Sequence, residues 1–137
     1  MKQESFSIDT AKLAIPGCDP ITTPLLREIS LGDLTGQNIG AVRDKYGNLK
    51  GNFAAFNGED QEMIYQRAAE FMQILEKDPS DMVAAFSHNG YMKAVLRYVL
   101  GKNFDTTPIA NGNCNIAVFK HDGSRWTLQV WNLEGKF

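Results

Sequence analysis

Residues 86–101, FSHNGYMKAVLRYVLG, decide how the rest of the chain is read. They follow the turn residues Asp78, Pro79, Ser80 and Asp81 and the apolar run Met82 to Phe86, which has the length and composition of a strand covered on both faces. The run stops at Ser87. Asn89 and Gly90 then offer a helix start, and Met92, Val95, Leu96 and Val99 recur at spacings of three and four, so they share one face. Lys93 and Arg97 fall on the other face, and Gly101 supplies a C-terminal cap. Strand, turn and helix together predict an open α/β sheet with Met82 to Phe86 at its centre. His88 then stands at the carboxyl end of the central strand, beside the unpaired amides of a helix N-terminus, where such sheets bind anions. Position is its whole claim at this point, because a strand-end His is more often a satisfied structural residue.

Working outward, residues 1–9 are polar apart from Phe6 and Ile8, and Thr10 to Ile15 predicts a turn or two of helix that Pro16 ends. PGCDP at 16–20 is a turn. Ile21 to Leu26 is β-prone, with Pro24 confining it to a sheet edge or stopping it early. The segment LLREISLGDLTG at 25–36 is a loop marked by Gly32 and Gly36, and it carries the carboxylate of Glu28. A loop Glu that pairs with a neighbour such as Arg27, or is simply solvated, is the commoner case. A short helix is expected from Gln37 to Tyr46, followed by the glycine-rich, aromatic stretch YGNLKGNFAAFNG at 46–58, a loop expected to lie over a pocket.

Gly58 to Lys77 gives the clearest helical pattern. Asn57 is its candidate cap, Glu59, Asp60 and Glu62 complement the N-terminal dipole, and Ile64, Ala68, Phe71 and Leu75 form its apolar face. Past Gly101, a loop ends in the polar cluster NGNCN at 111–115. Asn115 to Lys120 and Trp126 to Asn132 then read as two strands joined by HDGSR, whose Asp-Gly pair signals a hairpin. His121 is expected to be solvated in that turn. The order of elements predicts an α/β three-layer sandwich with an antiparallel edge.

Composition narrows the function classes. The 137 residues fit one domain, 1–137, and 43% apolar with 22% charged residues is the balance of a soluble globular chain. A net charge of −2 without a basic stripe argues against nucleic acid as a partner. Cys18 and Cys114 are far apart and form no Cys-x-x-Cys pair, so no metal and no other cofactor is expected. With neither a signal-peptide core nor a membrane-length apolar run, no membrane partner and a cytoplasmic location are expected.

Taken together, the motifs resemble the histidine phosphatase superfamily, the phosphoglycerate mutase-like proteins. LLREISLGDLTG is similar to that family's Leu-x-Glu segment with its two spaced glycines. GED at 58–60 with Arg67 downstream is similar to its Gly-Glu-Ser helix start, and FSHNGYMKAVLRYVLG to its Ser-His-Gly-Gly strand, turn and helix. The hairpin ending in RWTLQVWN is similar to its last two strands, so the resemblance runs in order over most of residues 10–132.

The resemblance implies a mostly parallel sheet and phosphoryl transfer from a phosphomonoester through a phosphohistidine. By motif, His88 matches the family's second His and Glu28 its acid or base, which makes these two the candidate catalytic residues. Asn89, standing where the family has its first Gly after the His, and Asn113 of the NGNCN cluster are the candidate phosphate- or ligand-binding residues. A phosphorylated small molecule is the implied ligand. The chemistry needs cationic donors around the equatorial oxygens of the phosphoryl group and a proton for the leaving oxygen.

Two departures bear on activity. The sequence contains no Arg-His-Gly, the family's source of the nucleophile and one phosphate-binding Arg. Thr10 and Ala11 match the end of its Ser-x-x-x-Arg-Ala-x-x-Thr-Ala segment, but Phe6 stands at the Arg position. The fold is therefore expected to be N-terminally incomplete relative to the family. Loss of a nucleophile in a serine protease costs roughly a million-fold in turnover, about 8 kcal/mol of barrier.

Three readings follow: a phosphatase-like protein that is inactive or strongly impaired, a phosphatase with a rebuilt or shared pocket, and a non-catalytic binding module for small anions or other small polar ligands. In the second, Arg27, Arg43 or Arg67 would replace the lost arginines. In the third, Asn111, Asn113 and Asn115 would join His88 and Glu28. Met82 to Phe86 is expected to be covered by residues 1–9, by the hairpin, or by another copy of the chain.

Overall fold

The computed structural model describes residues 2–134. Among them are four α-helices, α1 Lys2–Ala14, α2 Ile39–Tyr46, α3 Gln61–Glu76 and α4 Asn89–Leu100, and two strands, β1 Asn115–His121 and β2 Trp126–Glu134. Single 3-10 turns occupy Pro24–Leu26, Gly32–Leu34 and Ala54–Phe56.

The core is the contact between α3 and α4. Ile64, Ala68 and Met72, four residues apart on α3, bury against Tyr91, Ala94 and Val95 of α4. Leu26 and Ile29 of the 25–36 loop and Phe119 and Trp126 of the hairpin pack on this cluster. α4 has the predicted extent and ends at Gly101, whose φ of +125° suits a residue without a Cβ. α3 starts later than its pattern suggests, because Asp60 and not Asn57 caps it, accepting from the Met63 amide at 2.8 Å. Asn57 instead ends the preceding 3-10 turn in the left-handed region. Its side-chain amide donates to Asp33.

Several expectations are corrected. α1 is no turn or two at Thr10 to Ile15 but runs back to Lys2, and it stops just short of Pro16. Ile21 to Leu26 is not an edge strand. Pro24 opens a 3-10 turn there, and the Thr23 hydroxyl caps it by accepting from the Leu25 amide. His121 closes β1 opposite Trp126, with the two ring centroids 4.8 Å apart, so it is half-buried and not a solvated turn residue.

The largest correction concerns the sheet. β1 and β2 pair antiparallel, from Asn115 opposite Glu134 to His121 opposite Trp126, and this two-stranded ladder is the sheet among the described residues. Asp122 holds its turn by accepting from the amides of Ser124 and Arg125 and from the Ser124 hydroxyl. Residues 82–86 form no strand, and Met82 and Val83 are 89% and 47% exposed. The composition is right for a buried strand, but a strand needs ladder partners. Residues 2–14 are helical and the hairpin pairs only with itself, so neither covers the run. The chain is α/β in content, while the three-layer arrangement and the parallel sheet are not formed among the described residues.

Candidate active site at the start of α4

His88 is the N-cap residue of α4, with extended backbone angles. Its carbonyl accepts the first helical hydrogen bond, from the Met92 amide at 2.9 Å, while its ring makes no cap bond. The first amides of the helix are thus left for other acceptors. Glu28 takes one of them: Oε2 accepts from the Gly90 amide at 3.3 Å and Oε1 from the Ile29 amide at 2.9 Å. A carboxylate is favourable there because the helix dipole is positive at this end. The two candidate catalytic residues, 60 positions apart in sequence, meet at one helix end. Gly90 permits the approach, since a Cβ on it would lie 2.7 Å from Glu28 Oε1.

Arg67 of α3 fixes the loop that carries Glu28. Its guanidinium donates to the carbonyls of Leu25, Arg27 and Glu28 at 2.9, 3.0 and 3.4 Å and to both oxygens of Glu59 at 2.8 and 2.9 Å. It also lies 5.5 Å from the centroid of the Tyr91 ring. Glu59 accepts in addition from the Ser30 amide at 2.8 Å. Burial alone would raise the Glu59 pKa, but hydrogen bonds from Arg67 and Ser30 and the charges of Arg67 and Arg27 outweigh it and hold the carboxyl below its usual range. The Ser87 hydroxyl ties the same loop to α4 by donating to the Leu26 carbonyl at 2.6 Å.

One neighbour of His88 carries no signal in the sequence. Ser7 Oγ of α1 lies 3.2 Å from His88 Nε2. Periodicity could not find it, because the first turns of α1 have no apolar repeat.

Asn89 is turned toward the loop before β1. Its side-chain amide donates to the Asn111 carbonyl at 2.9 Å, and the Asn111 amide returns a bond to Asn89 Oδ1 at 2.9 Å. Asn115 donates to Asn132, which also accepts from the Gly112 amide. Asn113 is exposed in that loop and makes no hydrogen bond to His88, Glu28 or Asn89 among the described residues.

The three arginines considered as substitute phosphate ligands are occupied elsewhere or exposed. Arg27 Nε donates to the Pro24 carbonyl at 3.2 Å, Arg43 is exposed on α2, and Arg67 is bound as above. Among the described residues none of them donates a hydrogen bond to His88. No group of three or more His, Cys, Asp or Glu side chains converges as a metal site among those residues. No helix there is long and apolar enough to cross a membrane.

Beside the site, a cleft of about 690 Å³ runs from Gly90 along α4, lined among others by Lys50, Gln61, Lys93, Arg97 and Lys102. Asn48 and Lys50 of the 46–58 loop are among its lining residues.

The family model described as histidine phosphatase superfamily (branch 1) matches residues 7–134. The chain belongs to this superfamily. Comparison with curated proteins and with solved structures returned no match. The span matched to the histidine phosphatase superfamily begins at Ser7 and includes Glu28, Glu59, Arg67, His88 and the hairpin, so the motifs that carry the resemblance all fall inside it.

Proposed function

We propose that this member of the histidine phosphatase superfamily keeps part of a phosphoester pocket at the N-terminus of α4, binds phosphorylated small molecules there, and turns them over weakly or not at all by itself. The observation that carries this reading is the meeting of His88 and Glu28 at one helix end. The amides of a helix start and an imidazole suit a phosphoryl group, and a carboxylate beside them suits proton transfer to a leaving oxygen. Weak turnover follows from what surrounds the pair. No Arg-His-Gly occurs in the sequence and no guanidinium donates to His88 among the described residues, so charge developing on the phosphoryl oxygens lacks its clamps. In this reading residues 82–86, which form no strand among the described residues, occupy the place in sequence of the central strand of a mostly parallel, phosphoglycerate mutase-like three-layer sandwich.

Inorganic phosphate titrated into the protein tests the binding half. Saturable binding that His88→Ala abolishes is expected, with p-nitrophenyl phosphate hydrolysed no faster than in buffer. Absence of phosphate binding overturns the reading.

One observation favours a rival, a working phosphatase with a rebuilt pocket. A hydroxyl within hydrogen-bond reach of an imidazole is a nucleophile and base pair, and Ser7 and His88 form one. Ser7 Oγ would bond to phosphorus as the ester P–O bond breaks, its proton passing through His88 Nε2 to the leaving alkoxide. Water would then hydrolyse the phosphoserine, with His88 as base. Turnover that both Ser7→Ala and His88→Ala remove, with a phosphoryl group trapped on Ser7, would establish this rival.

A further inference from the structure

The end of α4 away from His88 borders another cleft, of about 720 Å³, shared with the last turn of α3 and the turn end of the hairpin. Leu100, one of its lining residues, stands eleven residues beyond Asn89, a rise of about 17 Å along the helix. Neither His88 nor Glu28 lines it, so a ligand held here is separate from the phosphoester pocket. Its size falls within the range of small-molecule sites, roughly 300–1,000 Å³.

The lining combines apolar side chains with one charge of each sign. Val99, Leu100, Trp126 and Leu128 supply apolar surface, and Leu100 is left 43% exposed. Glu76 fixes the aromatic side, because its Oε1 accepts from the Trp126 indole and from the Tyr98 hydroxyl, both at 2.9 Å. Those two hydrogen bonds hold the Glu76 carboxyl below its usual range, so it is charged at neutral pH. Its Oε2 accepts no hydrogen bond among the described residues. Arg125 is the opposite charge. Its backbone amide donates to Asp122 Oδ1, which also accepts from the Ser124 amide and hydroxyl. The Arg125 guanidinium has neither a hydrogen-bond acceptor nor a carboxylate within ion-pair distance among the described residues.

An unpaired carboxylate oxygen and an unpaired guanidinium beside apolar surface match a ligand carrying an ammonium, a carboxylate and an apolar group. A ligand with only an anionic group would be repelled by Glu76, and one with only a cationic group by Arg125. We propose that this cleft binds a free amino acid with a large apolar side chain, its carboxylate on Arg125, its ammonium on Glu76 Oε2 and its side chain against Val99, Leu100 and Leu128. The proposal does not depend on the reading of the α4 pocket.

L-Phenylalanine, L-phenylalaninamide and 3-phenylpropanoate are titrated calorimetrically into the full chain at equal ionic strength. Phenylalanine should bind saturably and at least about tenfold tighter than either analogue, each of which lacks one of its two charges. Arg125→Ala should weaken phenylalanine and phenylpropanoate about tenfold and leave the amide unaffected. Glu76→Gln, which keeps an oxygen for Tyr98 and Trp126, should weaken phenylalanine and the amide and leave phenylpropanoate unaffected. An unchanged thermal midpoint shows that a variant folds, and Arg125→Ala, a change at an exposed position, decides the matter if Glu76→Gln does not. No binding of phenylalanine overturns the proposal. Analogues that bind as tightly as phenylalanine, or phenylalanine binding that is indifferent to Arg125→Ala, also overturn it.

Discussion

Arg67 spends all five of its hydrogen bonds on holding protein in place. Its side chain and that of Glu59 are 14% and 12% exposed. Removing one partner would leave a nearly buried charge and three carbonyls unanswered, and Arg67→Ala should cost on the order of 3 kcal/mol in urea unfolding. Arg67→Lys should recover only part of this, because an ammonium cannot span the same acceptors. The pair also sets a pH dependence. The Glu59 pKa is lower folded than unfolded, so its contribution is complete above the unfolded value of about 4.3 and is lost as pH falls through the folded value. Glu59→Gln should therefore flatten the acid side of a stability against pH curve, and a curve unchanged in shape would count against the pair.

Tyr91 makes the opposite case. Its hydroxyl is buried with no hydrogen-bond partner among the described residues, and burial pushes its pKa well above the usual range. Tyr91→Phe should leave stability unchanged or raise it by up to about 1 kcal/mol, read from the same unfolding curves. At this scale Glu28 and His88 were open to selection as candidates, because each sits in a local motif. Ser7 was not, because its partner is 81 residues away in sequence.

At the scale of elements, α3 and α4 were legible because their apolar spacing, caps and length agree with the core they form. The edge strand at Ile21 to Leu26 was misread for a local reason, since side-chain capping by Thr23 competes with an extended ladder. What periodicity does not show is that α4 also holds Glu28 through the Gly90 amide. Gly90→Ala separates the two roles. Alanine is a better helix residue than glycine by roughly 0.5–1 kcal/mol, and the atom it would strike is the tip of the flexible Glu28 side chain. The variant should keep or slightly raise the thermal midpoint while displacing the carboxylate and altering phosphate affinity. A variant that unfolds early would mean that the close approach supports the helix itself.

At the scale of the molecule, the family was legible in a series of short motifs, whereas the sheet was not. Helices and a hairpin are specified by neighbours in sequence, whereas a strand at residues 82–86 would need ladder partners, and none pairs with it among the described residues; its composition says only that it suits burial. An apolar run without ladder partners invites pairing with another chain, and residues 82–85 are exposed, Met82 and Val83 being the large side chains among them. The protein should therefore associate as its concentration rises, with the run as the contact. Val83→Lys places a charge on that run as natural edge strands do, and since Val83 is 47% exposed the change should leave the thermal midpoint nearly unmoved. Light scattering coupled to size exclusion, run over a concentration series, should show the unsubstituted chain growing in mass and Val83→Lys staying monomeric. If both stay monomeric at every concentration, the unpaired run is tolerated as it stands and another copy of the chain is not what covers it. Equal association of the two would place the contact elsewhere on the molecule, with the exposed Ile21 and Leu13 as the next residues to charge.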